Sequence, residues 1–475
     1  MPSQTSPSFG STPASLSMSI DRRTFLQSLG GGFGALAANA LLATEDKQPH
    51  FTPKAESVIF LFMYGGPSQV DTFDPKPALN KWANKAIPVY RKEDGFFQGE
   101  TKPTAMPSPW SFKKYGQSGI DISELYPNLC QHADKLCVIR SMHADSNNHG
   151  PALSQMNSGF ILPGFPTMGS WLGYGLGNAS QDLPGYVVLL DKNGAPVNGA
   201  INWSNGFMPA RYQGIPFRAT GTPIANLSRP KGVSVEDQRA RLDFLKEQNQ
   251  NYADLHPGDS ALEARIEAYE LAFRMQAAAP EVTDLSLETE FTQKSYGLEN
   301  DMTKNFGRNC LLARRLVERG VRFVQVYSGG NTGPSAWDAH KDLKGNHSRQ
   351  TAQTDQPIAA LLSDLEARGM LDKTLVIWGG EFGRLPTHQG SKGRDHNPFG
   401  FTHLMAGGGV KPGYIHGASD EFGYHAAENK VHVHDLHATI LFLLGLYHER
   451  LTYRHLGRDY RITDVHGKIV NELIA

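Results

Sequence analysis

The 475-residue chain has few cysteines, no excess of either charge and almost no long apolar run. Each scarcity closes off a class of protein. Three cysteines, Cys130, Cys137 and Cys310, cannot make a disulfide framework. Cys130 and Cys137 would pair only if the chain bent back between them; buried free thiols are the simpler reading. Lys+Arg 46 against Asp+Glu 47 leaves a net charge of −1. That gives no basic surplus for a phosphate backbone, so nucleic acid is not the main partner. After the N-terminal segment no stretch is long and apolar enough to cross a membrane. There is no internal repeat and no tight metal motif of the HExxH kind. What remains is an ordinary composition, 39% hydrophobic and 20% charged. It suits one large α/β core with an insertion, or two domains.

The first 43 residues read as a targeting segment. A Ser/Pro/Thr-rich start leads to Asp21-Arg22-Arg23-Thr24-Phe25-Leu26 and a weakly apolar Gly/Ala run ending near Ala43. Twin arginines before Phe-Leu, a mild apolar region and Ala38-Asn39-Ala40 resemble a twin-arginine export signal with its cleavage site. The competing reading is an uncleaved anchor helix, for which the run is short and rich in glycine. An exported, periplasmic or extracellular protein is expected, with no membrane span after signal removal.

From residue 55 onward, apolar runs alternate with helical periodicity. The organising stretch is Thr374–Pro398, TLVIWGGEFGRLPTHQGSKGRDHNP. It begins as a buried strand, turns at two glycines and presents Glu381. Such an edge is where open α/β sheets bind ligands. Strands are also expected at 57–64, 136–140, 186–190, 321–327 and 401–405. Helices are expected at 121–133, from just after His149 through Met156 with Gly159 closing it and Pro151 in its first turn, at 235–278 with a break at Pro257-Gly258, at 300–319, 354–368 and 440–446. Asp435 is placed as the cap of the last of these. His432 and His434 are placed on one face of an extended strand, as structural histidines at the sheet edge. Residues 192–232 form an irregular Gly/Pro/Asn-rich stretch carrying Trp203, Phe207, Tyr212 and Phe217. These aromatics either pin the loop down or line a carbohydrate-type site. The fold class is therefore α/β, a mostly parallel central sheet flanked by helices, with residues about 192–300 as an insertion outside the sheet.

Thirteen of the 18 histidines lie after position 330. Strand ends there carry Asp338 with His340, then Glu381, then Asp395 with His396. Carboxylate and imidazole on different strand ends suit Zn²⁺ or Mn²⁺ better than Ca²⁺, which prefers oxygen alone. The alternative is polar rim chemistry, with Asp338 and Glu381 as caps and His396 in a loop hydrogen bond. After the first strand, Asp71 is either a presented carboxylate or a turn cap. His149 stands at a helix start, where backbone N–H groups attract anions and a hydrolase would place a nucleophile. Arg384 and Arg394 are either clamps for a substrate anion or solvated loop residues.

Seven segments, MYGGPSQVDTFDPKP, NNHGPALSQMNSG, WDAH, EFGRLP, GRDHNP, AGGGVKPGYIHGASD and VHVHDLHATIL, follow in this order. In that order they resemble the secreted bacterial family known as domain of unknown function 1501, which itself resembles the sulfatase and alkaline phosphatase superfamily. The resemblance spans nearly everything after residue 55. It implies an alkaline phosphatase-like α/β domain over 55–475, with a one- or two-metal site hydrolysing sulfate or phosphate esters. It also implies Asp71, Asp338, His340, Glu381 and His396 as metal ligands; His149 and Arg384 stand beside them as this chain's own candidate catalytic residues. His149-Gly150-Pro151 stands where sulfatases carry Cys or Ser two residues before proline. The modifiable residue and the arginine that follows are missing, and His149 could be a metal ligand or a phosphoryl acceptor instead. The expectation is an exported metal-dependent ester hydrolase acting on a small-molecule or polysaccharide ester. The alternative is a secreted scaffold that binds an anionic polysaccharide or a cell-surface partner without turning it over.

Overall fold

The computed structural model describes residues 48–89, 103–218, 231–256, 260–331 and 336–475, together with scattered positions between 219 and 230. The export segment 1–43 and the Pro257-Gly258 break lie outside the described residues.

Nine strands make one sheet: β1 (Ser57–Met63), β2 (Cys137–His143), β3 (Tyr186–Leu189), β4 (Ile215–Phe217), β5 (Phe323–Ser328), β6 (Thr374–Gly379), β7 (Phe401–Ala406), β8 (Tyr414–His416) and β9 (Val431–His432). The order across the sheet is β8-β2-β7-β6-β1-β5-β3-β4, with β9 also pairing β2. Every pairing is parallel except those of β7, which runs against both β2 and β6. The chain sits in this order because its central strands are apolar throughout. All seven residues of β1 and all six of β5 and β6 are buried, as strands covered on both faces require.

The period of two then sorts the side chains. Ile59, Leu61 and Met63 face one core with Val324, Val326, Val376 and Trp378. Helices α5 (Lys304–Glu318) and α6 (Leu343–Ala367) cover that core. Val58, Phe60 and Phe62 face the other core with Phe323, Tyr327, Leu375 and Ile377. Helices α1 (His149–Ser158), α2 (Met168–Leu176) and α7 (Val433–Leu443) cover this second core. Two further helices, α3 (Val235–Leu255) and α4 (Ser260–Thr283), occupy the expected helical part of the insertion. The three cysteines are free.

The structure departs from the sequence reading in four places. Residues 120–123 are a strand, paired with Phe112–Tyr115, and the helix expected over 121–133 is only a 3₁₀ turn at Leu129–Lys135. Ile120 and Ile122 are both buried, so the alternation is that of a strand. Gly116 and Gly119, both at positive φ, make the turn before them. The insertion does not lie wholly outside the sheet, because Ile215–Phe217 pairs with β3 as its edge. An edge is where Pro216 can sit, since one side needs no N–H. Helix α6 begins eleven residues earlier than expected, at Leu343, with the Asp342 side chain accepting the Gly345 N–H. Finally, α7 begins at Val433, with His432 rather than Asp435 as its cap. Asp435 sits three residues in and accepts the His432 backbone N–H at 2.9 Å, a reciprocal capping box. Only His432 therefore lies in a strand; His434 is already helical.

Candidate metal centre

The parallel strands bring their C-terminal ends to one edge. Beyond β5 come Trp337 and Asp338, where the Trp337 N–H donates to the Tyr64 carbonyl at 2.8 Å. This contact joins the β1 and β5 loops and needs Gly65. At its φ of 109°, a Cβ there would lie 2.6 Å from the Asp338 nitrogen. Beyond β6 come Glu381 and Phe382, then a short antiparallel ladder of Gly383–Arg384 with His396–Asn397, in which Arg384 pairs with His396. Beyond β2 a loop leads to Asn148, whose side chain caps α1, and His149 is the first residue of that helix.

Asp338, His340, His396 and His149 converge. One donor atom from each lies within 4.8 Å of the other three. Asp338 Oδ1 stands 2.9 Å from His340 Nε2, 3.2 Å from His396 Nε2 and 3.4 Å from His149 Nε2. Bonds of about 2.0–2.2 Å to one tetrahedral ion would separate ligand atoms by about 3.4 Å. The other ring nitrogens all have acceptors. His149 Nδ1 meets Glu381 Oε1 at 2.7 Å, His396 Nδ1 meets the Asn147 carbonyl at 2.7 Å, and His340 Nδ1 meets Gln389 Oε1. Such partners fix the tautomer with the proton on Nδ1 and aim the Nε2 lone pair inward. His340 and His396 thus face each other at 2.9 Å, Nε2 to Nε2. Two lone pairs at that distance repel unless a proton or a cation lies between them. His149 Nε2 is buried without a hydrogen-bond partner. A buried polar atom left in this state asks for a ligand. The residues therefore fit a divalent cation.

Burial opposes charge on both Asp338 and His149. For Asp338, the neighbouring His149, His340 and His396 rings and the Arg384 charge overcome it and hold the carboxyl far below its usual range. For His149, the Asp338 and Glu381 carboxylates win and raise its pKa to about 9, so in the metal-free protein the ring also carries a proton on Nε2 at neutral pH, which a bound cation would displace. His396 goes the other way, to about 3, because burial and the Arg384 charge both disfavour the imidazolium. Its lone pair is available at any ordinary pH.

The other expected site residues take different places. Glu381 is fully buried behind His149, not beside the donor atoms. The Gly65 N–H donates to both its oxygens, at 3.0 and 3.2 Å. It is an orienting partner of His149 rather than one of the convergent donors. Asp71 lies outside the group. Arg394 grips it with two bonds, Nε to Oδ2 at 2.8 Å and a terminal nitrogen to Oδ1 at 3.2 Å, and Ser68 Oγ donates to it. Arg384 has no exposed side-chain surface. It donates to Asp338 Oδ1 at 2.7 Å and to the carbonyls of Gly65, Gly66 and Arg394. It braces the site from behind and does not face a substrate. Gln389 and the Asn147 carbonyl were not singled out from the sequence. Asn147 opens one of the segments that carried the resemblance and Gln389 lies between two of them, but nothing in an isolated glutamine or carbonyl marks it as an imidazole's partner.

A family model described as "Protein of unknown function (DUF1501)" matches residues 55–474. The chain belongs to this family. No curated protein sequence matches it. Among solved structures, DUF1501 residues align with a protein of the alkaline phosphatase superfamily from Vibrio parahaemolyticus at 11% identity and a TM-score of 0.35, covering 84% of this chain and 69% of that one. A second is the PsFucS1 sulfatase from Pseudoalteromonas sp., at 12% identity and a TM-score of 0.35, covering 88% and 72%. A third is the lipoteichoic acid synthase LtaP from Listeria monocytogenes, at 10% identity and a TM-score of 0.35, covering 84% and 74%.

Proposed function

We propose that this DUF1501 protein is an exported, metal-dependent hydrolase of sulfate or phosphate esters. The observation that carries the reading is the convergence of His149, Asp338, His340 and His396, with all three imidazoles turned inward by partners on Nδ1. Three nitrogens and one oxygen favour Zn²⁺ or Mn²⁺ over Ca²⁺. When bound, such a cation polarises an ester oxygen and makes water a competent nucleophile near neutral pH. That matches a chain whose His149 replaces the usual Ser or Cys. Glu381 keeps His149 in the tautomer that can ligate. Phe382, 4.3 Å from His396 ring to ring, walls one side with apolar surface. The side chains of His149, Asp338, His340 and His396 retain between 14% and 30% of their exposure, so the cluster opens to solvent on one side. A small-molecule or polysaccharide ester can approach there.

Two measurements test the reading. Metal analysis of the purified protein should find a transition metal, and a panel of aryl sulfates, phosphate monoesters and phosphodiesters should give turnover that a chelator abolishes. A metal-free protein, inert to every ester even after Zn²⁺ or Mn²⁺ is added, would instead favour a binding scaffold. Export is tested separately. Changing Arg22 and Arg23 both to Lys should hold the protein in the cytoplasm on cell fractionation, whereas unchanged export would rule out the twin-arginine route.

A further inference from the structure

We infer that two buried arginines restrict this site to one metal ion, with the Arg384 guanidinium as a permanent second cation. The inference rests on the proposed metal centre. A second ion beside the first would need to share Asp338, the one carboxylate among the four convergent donors. The Arg384 guanidinium already lies against that carboxylate, 2.7 Å from the Oδ1 that faces the three histidines, so a second ion there would meet a positive charge. The guanidinium cannot swing aside to admit an ion. Its Nε donates to the Gly66 carbonyl at 3.0 Å, and its other nitrogens donate to the carbonyls of Gly65 and Arg394. Four of the five N–H groups of an arginine are thereby used, in a side chain with no exposed surface.

A second ion would also need ligands of its own, and the neighbouring carboxylates are committed elsewhere. Asp71 is locked in a two-pronged pair with Arg394, and neither side chain is exposed. Arg394 is itself anchored to the Met106 carbonyl at 3.0 Å and the Leu385 carbonyl at 3.3 Å. Glu381 takes the Gly65 N–H and His149. Asp395 Oδ1 accepts the His396 backbone N–H at 2.8 Å. Among the described residues, one group of three or more donors could hold an ion, and it is the group already named. An arginine guanidinium carries a full, delocalised positive charge. Arg384 thus places a fixed positive charge next to Asp338, where it competes with further cations and tempers the affinity for the first.

Titration of the chelator-stripped full chain with Zn²⁺, read by calorimetry and by bound metal after gel filtration, distinguishes the outcomes. One equivalent per chain is expected. Two equivalents would overturn this inference while leaving the metal-centre reading intact. No bound Zn²⁺ and no bound Mn²⁺ would overturn both. Arg384→Lys retains the charge and should still bind one equivalent. Arg384→Met removes it and should bind Zn²⁺ at least tenfold more tightly. A folded Arg384→Met protein with wild-type affinity would remove the charge-competition argument. If that variant does not fold, the stoichiometry of the wild-type chain still decides.

Discussion

Replacing His396 by alanine is expected to abolish stoichiometric metal binding and any ester hydrolysis, while the metal-free protein stays folded. His396 supplies one of four donors. Glu381→Ala should act in the same direction by a different route, because Glu381 touches His149 and lies outside the donor group. Losing such an orienting partner typically costs about 10–100-fold in metal affinity or activity. Losing a ligand should cost more, so His396→Ala should be the more severe of the two. Folding should survive His396→Ala because the side chain stands on a two-residue strand beyond the packed sheet. Glu381 is more deeply set, and its alanine variant leaves the Gly65 N–H buried without an acceptor, at about 1–3 kcal/mol. Metal content by mass spectrometry and thermal melts of the stripped proteins separate the two effects. A His396→Ala protein that keeps a full equivalent of metal would refute the ligand assignment. So would an equal loss of stability and metal in both variants.

The second large effect concerns acid. Three fully buried histidines outside the donor group are held neutral. Burial pushes His347 and His437 down to about 3 and His403 to about 4. Each spends one ring nitrogen on the backbone. His347 Nε2 accepts the Ser68 N–H, while His403 and His437 donate to the carbonyls of Gly380 and Met156. A second proton on His403 or His437 would meet no acceptor, because Nδ1 of each is buried without a partner. On His347 it would break the bond to Ser68. The unfolded chain takes these protons near pH 6.5, so between about pH 6.5 and 4 it binds more protons than the folded chain. Stability is then fully present above pH 6.5 and falls as the pH drops. At pH 5 each histidine should cost on the order of 2 kcal/mol. Urea unfolding of metal-free protein at pH 7.5, 6 and 5 should show midpoints moving steadily down. Flat stability over that range would mean that these histidines are charged or solvated in the folded protein.

The amino-acid order alone determined the class of fold and the edge where chemistry gathers. Runs such as Ser57–Met63 and Thr374–Gly379 are apolar at every position, and only a strand buried on both faces accommodates that. Local periodicity is a property of neighbouring residues, so it survives in a linear reading. It misled where two patterns share a composition, as at Ile120–Ser123, where a glycine-bounded alternation passes for the start of a helix. The carboxylate and imidazole donors were also legible, since each follows a strand end in a short polar segment.

Which donors meet was decided only by the tertiary structure. His149 lies 232 positions from the Glu381 that orients it, and Arg394 lies 323 from the Asp71 that it neutralises. Asp71, Asp338 and Glu381 look alike as carboxylates beyond strands. One faces three imidazoles, one stands behind an imidazole, and one is buried against a guanidinium. A coordination shell tolerates errors of tenths of an ångström. Strand register, a glycine that lets two loops touch, and the direction of each ring set positions that finely. None of them is a property of the residue type, so the sequence could name the candidates while the fold assigned their parts.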